Sequence, residues 1–269
     1  MVKYPLVFCD FDGTLAPEGG SVSERTKRAV ADYTAAGGTF VICTGRSRVS
    51  LEKRLASVYG GARVPFICFQ GGLICDERGN ILRRLTTPKE DVLRVTEAAV
   101  NAGYSPALHA DGGLFTDRRT PVTEYYERLT GCSFACVPDI SAFVRDYGGE
   151  FDKMLVLSEK GAESGLSDVA GTYCRGSRFV KSSPTFLELI PSQSGKGGAV
   201  RFMAERLGVP TERAAAFGDA DNDVDMLEAV GLPVAMGGGM EKCIAAAELV
   251  APPAAEDGVA RVLETFIGV

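Results

Sequence analysis

Short apolar runs recur along the chain, each closed by glycine or a small polar residue. Residues 6–8, 39–43, 65–69, 186–190, 214–217 and 232–236 lack polar alternation and are too short for helices, which predicts buried strands. Between several of them, apolar positions recur at helical spacing. A helix is predicted over 24–36, with Ser21 or Ser23 as its N-cap and Gly37-Gly38 as its stop. Further helices are predicted over 49–59, ended by Gly60-Gly61, and over 198–207 and 224–230. This alternation predicts an α/β fold, a parallel sheet with helices on both faces.

The rhythm changes in the middle of the chain. Residues 73–75 and 81–82 flank Gly79-Asn80 and predict a hairpin, and Thr86-Thr87-Pro88 reads as a link. An amphipathic helix over 91–102 is closed by Gly103. Beyond it, short strands (108–110, 154–157, 178–181) mix with short helices (122–129, 140–147). We therefore expect a core of residues 1–84 and 187–269, interrupted by an inserted α+β domain of residues 85–186.

Composition narrows the class. Hydrophobic residues make up 45% of 269, ordinary for a soluble globular protein. No apolar run approaches the ~18 residues of a membrane span. The N-terminus lacks the apolar stretch of a secretory leader, so a cytoplasmic protein is expected, with no membrane partner. The formal charge is −6 and no basic cluster stands out, which argues against nucleic acid as a partner. Of eight cysteines, Cys9, Cys43, Cys68 and Cys75 lie in or beside apolar runs and read as reduced core residues. Cys132 and Cys136 are spaced wrongly for a zinc or redox pair.

Candidate chemistry sits where strands end. Asp10 and Asp12 follow the first strand, and in an extended chain residues two apart share a face. Two adjacent carboxylates repel unless a cation or a shared proton offsets them, which suggests a hard-metal site; a carboxylate is also a possible nucleophile. Thr44 follows the second strand. Asp219-Ala220-Asp221-Asn222-Asp223 follows another, and its crowded acids favour a bound cation. Lys196 opens a helix. In open α/β sheets ligands bind outside the carboxyl ends of the strands, so the fold would gather these groups on one edge. Two other motifs fail. A P-loop ending at Lys196 needs Gly at 190 and Ser or Thr at 197, where Ile190 and Gly197 stand. An EF-hand from Asp219 needs Gly at 224 and Glu at 230, and both are Val. His109, the single histidine, precedes a turn and reads as a partly buried surface residue, with a place in a cleft as the alternative.

Asp10-Phe11-Asp12-Gly13-Thr14, Thr44-Gly45-Arg46, Lys196 after a Pro-containing loop, and Gly218-Asp219-x-x-Asn222-Asp223 together resemble the four motifs of the haloacid dehalogenase superfamily. The insertion resembles the C2 cap of its Cof-type sugar-phosphatase branch, as do Val234-Ala235-Met236-Gly237 and Glu256-Asp257-Gly258-Val259. Two stretches depart from that branch. Gln70-Gly71-Gly72 replaces the usual Asn-Gly-Ala, and the loop before Lys196 is rich in Gly and Ser.

The resemblance implies a Rossmann-like core and a Mg²⁺-dependent phosphatase acting on small phosphorylated metabolites, sugar phosphates or similar phosphomonoesters, through an aspartyl-phosphate. Asp10 would be the nucleophile and Asp12 the acid and base. Mg²⁺ would be held by the side chains of Asp10 and Asp219 and the backbone carbonyl of Asp12, with Asp223 ligating or orienting its waters. Thr44, Gly45, Arg46, Lys196 and Asn222 would hold the substrate. The cap would close over the site, and a monomer or homodimer is expected. A phosphomutase using the same intermediate is the alternative, and a non-catalytic phosphometabolite sensor a more distant one.

Overall fold

The computed structural model describes residues 2–58, 64–158, 174–183 and 185–268. The first stretch forms β1 (Leu6–Cys9), α1 (Glu24–Ala35), β2 (Thr39–Cys43), α2 (Arg48–Val58), β3 (Phe66–Cys68), β4 (Leu73–Cys75) and β5 (Ile81–Arg84). The middle forms α3 (Lys89–Asn101), β6 (Ser105–Ala110), β7 (Gly113–Thr116), α4 (Pro121–Thr130), β8 (Ala135–Cys136), α5 (Ile140–Asp146), β9 (Phe151–Leu157), β10 (Ser177–Ser183) and β11 (Phe186–Pro191). The last forms α6 (Lys196–Leu207), β12 (Ala214–Gly218), α7 (Val224–Leu227), β13 (Leu232–Met236), α8 (Glu241–Ala245), β14 (Leu249–Ala251) and α9 (Gly258–Leu263). The chain divides into two compact units. Met1–Thr44, Arg54–Arg83 and Gly195–Val269 form one; Gly45–Lys53 and Arg84–Ser194 form the other.

The first unit holds an eight-stranded sheet in the order β14-β13-β12-β1-β2-β3-β4-β5. The ladders from β14 to β3 are parallel, and β3 meets β4 antiparallel. Every residue of β1 and of β12 is buried, which is why their sequences show no alternation. Leu6, Phe8, Val41 and Ile67 pack with Val200 and Met203 of α6 and with Met226 and Leu227 of α7. On α1, Ser23 is the cap: its hydroxyl accepts from the Thr26 N–H at 3.0 Å. The α1 helix lies against β2 and α9, and its Tyr33 hydroxyl donates to the Tyr4 carbonyl.

The second unit holds a six-stranded sheet, β10-β11-β9-β6-β7-β8. Val92, Val95, Leu108, Val144, Met154 and Leu189 pack on one face; Ala107, Leu114, Tyr126, Leu155 and Phe186 pack on the other. The strand from Phe186 pairs with both β9 and β10, so the chain re-enters the first unit at Gly195 and not at residue 187. A strand buried on both faces has the same apolar signature in either sheet. Likewise Gly45–Lys53 groups with the second unit, although it follows β2 in sequence. Three short strands, β7, β8 and β14, have no expectation behind them. The predicted helix over 224–230 shrinks to Val224–Leu227, preceded by a 3₁₀ turn over Asp221–Asp223. The predicted stop of the helix over 49–59, at Tyr59, Gly60 and Gly61, lies outside the described residues.

His109 is not a surface residue. It sits on β6, 4% exposed, with Nε2 2.9 Å from the Tyr126 hydroxyl. Burial, and then the charge of Lys153, hold its pKa well below the usual histidine value. The folded protein therefore keeps His109 neutral where the unfolded chain, near pH ~6.5, takes up a proton. The stability contribution is complete above that pH and is lost as pH falls below it. NMR of the lone imidazole should show ring shifts unchanged from pH 8 to about 6, and urea midpoints that fall on acidification below about 6.5. An ordinary titration curve centred near 6.5 would contradict this.

Candidate active site

Three parallel strands end at one edge of the first sheet, and each hands over to a polar residue. The β1 strand leads to Asp10, β2 to Thr44 and β12 to Asp219. The register is fixed locally: the Asp10 N–H donates to the Phe217 carbonyl at 2.9 Å and the Thr44 N–H to that of Ile67 at 2.9 Å. After Asp10 the chain turns tightly. Ala16 N–H donates back to Phe11, Leu15 N–H to Asp10, and Gly13 N–H to the Ala16 carbonyl. Gly13 has φ +84°, and a Cβ there would lie 2.4 Å from an Asp219 carboxylate oxygen. The glycine lets the two acidic loops approach.

Lys196, the first residue of α6, is completely buried. Its ammonium donates to Asp10 Oδ1 and to Asp223 Oδ1, each at 2.5 Å. The second oxygen of Asp223 accepts from the N–H groups of Asp219 and Ala220 at 3.0 and 3.1 Å. Thr14, which the sequence reading did not single out, donates from its hydroxyl to Asp219 Oδ1 at 2.6 Å. Burial pushes the Asp10 carboxyl upward while Lys196 opposes the shift, and Asp223 and Asp219 add to it. Burial alone would lower Lys196, but its two carboxylate partners hold it well above the usual lysine value. Asp219 is pushed up to about 6, mainly by burial, with the Thr14 hydrogen bond pulling the other way.

Carboxylate oxygens of Asp10, Asp219 and Asp223 all lie within 4.8 Å of one another. Three acids and one ammonium leave the cluster with an excess of negative charge. An all-oxygen donor set of this kind suits a hard divalent cation. Asp12 is outside that trio. It lies in the turn after β1, bridged to Ala16, and near enough to Asp219 for its charge to raise that carboxyl.

The remaining predicted residues fall into two groups. Thr44 is buried at the strand end, and its carbonyl accepts from the Gln70 N–H at 3.2 Å. Asn222 donates from its amide to the Gln70 side-chain oxygen at 3.1 Å. Gln70 thus ties two of the motif loops together, and it does so from a left-handed conformation: Phe69 and Gln70 have φ of +52° and +56°. Only the departure of Gln70-Gly71-Gly72 from the expected Asn-Gly-Ala flags this stretch in sequence. Gly45 and Arg46 belong to the second unit. The Arg46 guanidinium donates to Ser50 Oγ at 2.9 Å and to the Leu129 carbonyl at 3.2 Å, and the Gly45 carbonyl accepts from Lys153 at 3.0 Å.

A largely parallel α/β sheet with a buried lysine and a carboxylate trio at one edge suits an anionic ligand held together with a hard cation. The chain belongs to the haloacid dehalogenase-like hydrolase family, whose sequence profile matches residues 7–263. Among its relatives, an HMP-PP phosphatase of Yersinia pseudotuberculosis is 29% identical over 249 residues, covering 87% of this chain and 84% of the relative. A protein of Thermotoga maritima has a similar crystal structure, with a TM-score of 0.85 and 25% identity over 97% of each chain. The fold also matches a haloacid dehalogenase-like hydrolase of Bacteroides thetaiotaomicron, with a TM-score of 0.87, 24% identity, and coverage of 98% of this chain and 99% of that one.

Two substitutions test the construction of the site. Gly71 has φ +90°, and a Cβ there would stand 2.3 Å from the Gly195 carbonyl oxygen, next to Lys196. Gly71→Ala should cost about 2–5 kcal/mol in urea denaturation, combining strain with overpacking. Gly112→Ala, at φ +81° with nothing within 4 Å, should cost only about 1 kcal/mol. Equal costs would contradict the close approach. Lys196→Met leaves Asp10 and Asp223 buried without their ammonium and should cost about 3–5 kcal/mol in metal-free protein; a neutral effect would show that the ion triad is misassigned.

Proposed function

We propose that this protein hydrolyses small phosphomonoesters through a phosphorylated Asp10. The observation that carries the reading is the buried Lys196 ammonium held between Asp10 and Asp223, with Asp219 completing the acidic trio. Asp10 attacks the phosphorus in line, the bond from phosphorus to the leaving oxygen breaks, and Asp12 supplies the proton that oxygen needs. Water then attacks the same phosphorus, Asp12 takes its proton, and inorganic phosphate leaves with Asp10 regenerated. Lys196 offsets part of the burial that pushes the Asp10 carboxyl up, and it faces the developing charge on the phosphoryl oxygens. Thr44 and the Gly45 backbone donate to those oxygens, and Asn222, held by Gln70, orients the loop that carries Asp219.

Asp10, Asp219 and Asp223, with the Asp12 carbonyl, are the groups that would hold Mg²⁺, whose charge neutralises the phosphoryl oxygens when it is bound. The inserted unit acts as the cap that selects the substrate. A cytoplasmic location fits the family reading, and no helix among the described residues is long and apolar enough to cross a membrane. Sugar phosphates are the first substrates to assay, and the compound named for the Yersinia relative belongs in the same panel.

Asp10→Asn should abolish phosphate release from p-nitrophenyl phosphate, a loss of at least about 10³-fold in kcat, with the melting temperature preserved. EDTA should abolish the wild-type rate and Mg²⁺ restore it. Appreciable turnover by Asp10→Asn, or a rate indifferent to EDTA, would overturn the mechanism.

A further inference from the structure

The second unit contains a buried ion pair whose function the proposed chemistry leaves unexplained. Lys153 on β9 is 2% exposed and Glu188 on β11 is 4% exposed, with Nζ and Oε2 2.8 Å apart. They lie on one face of the sheet, where Glu188 pairs in register with Leu155, two residues from Lys153. His109 stands opposite Lys153 on the neighbouring strand, and Ala107, Leu155, Leu157 and Phe186 pack on the same face. Desolvating two charges there is costly, and an apolar pair of similar volume would be at least as stable. The pair therefore calls for a role other than stability. The Lys153 ammonium supplies one, because it also donates to the Gly45 carbonyl at 3.0 Å.

Gly45 follows Thr44 directly, and two consecutive carbonyls are held here. The Gln70 N–H holds Thr44 and the Lys153 ammonium holds Gly45. Peptide units are planar and trans, so fixing a carbonyl also fixes the direction of the N–H on its opposite side. Holding the Thr44 carbonyl aims the Gly45 N–H; holding the Gly45 carbonyl aims the Arg46 N–H. Backbone N–H groups placed in advance are what a phosphoryl group with developing charge requires.

We propose that Lys153, anchored by Glu188, is a positioning residue for phosphoryl transfer. It acts through the Gly45 carbonyl to orient the Gly45–Arg46 peptide within the phosphate-binding loop. The assignment rests on the phosphatase reading above. Glu188 limits where the ammonium can sit, and the ammonium limits how the loop can turn. Misplacing catalytic donors by about 1 Å costs on the order of 10²-fold in rate.

The test separates positioning from stability. Lys153→Met/Glu188→Leu removes both charges together and leaves neither one buried alone. It should melt within a few degrees of wild type. With p-nitrophenyl phosphate and Mg²⁺ its kcat should fall by about 10–100-fold, with KM changed less than about threefold. The rise in melting temperature that orthovanadate gives the wild type should shrink in parallel. A double variant with wild-type kcat and a wild-type vanadate shift overturns the assignment while the phosphatase reading stands. A wild-type protein with neither turnover nor a vanadate shift overturns both. Glu188→Gln keeps Lys153 against Gly45 and should give a kcat between wild type and the double variant; a kcat at or below the double variant's also overturns the assignment.

Discussion

A single buried ammonium organises the catalytic edge of this protein. Lys196 has no exposed surface, and it reaches Asp10 and Asp223 at once. An isolated cation in that position would be prohibitively expensive, and so would the two carboxylates without it. The three groups are therefore mutually dependent. They tie the start of α6 to the end of β1 and to the turn after β12. The backbone is shaped to permit this: a Cβ on Gly218 would meet the Asp223 side chain at 2.5 Å, and one on Gly197 would meet the Asp225 carbonyl at 2.1 Å.

The same arrangement sets the chemistry. Burial drives the Asp10 carboxyl toward its neutral form, while the nucleophile proposed for it has to be ionised. Lys196 offsets part of that penalty. The remaining negative charge, shared by Asp10, Asp219 and Asp223, is what makes the cluster fit for a divalent cation. Asp12 lies in the turn outside the trio, with its charge still acting on Asp219. Both acids follow the end of β1 at Cys9, yet only Asp10 belongs to the trio.

Much of this was legible in the sequence. Parallel strands buried on both faces announce themselves as unbroken apolar runs, and their polar successors Asp10, Thr44 and Asp219 mark the working edge. The same signature misassigned the Phe186 strand, because apolar runs do not say which sheet they join. Edge strands such as β8, two residues long and exposed, carry too little pattern to read. His109 was misplaced because a histidine in a short strand gives no sign of the tyrosine that packs on it from α4. Thr14 and Gln70 become meaningful only through partners 205 and 152 residues away, and no local spacing encodes such pairs.

The most direct test of the account is chemical trapping of the phosphorylated residue. The protein is mixed with p-nitrophenyl phosphate and Mg²⁺, quenched in acid during turnover and reduced with borohydride. Peptide mass spectrometry then reads the product. An acyl phosphate is reduced where a free carboxylate is not, so the account predicts homoserine at position 10 and unmodified aspartate at positions 12, 219 and 223. Reduction at any of those three, or a turning-over enzyme with no reduced aspartate, would contradict it.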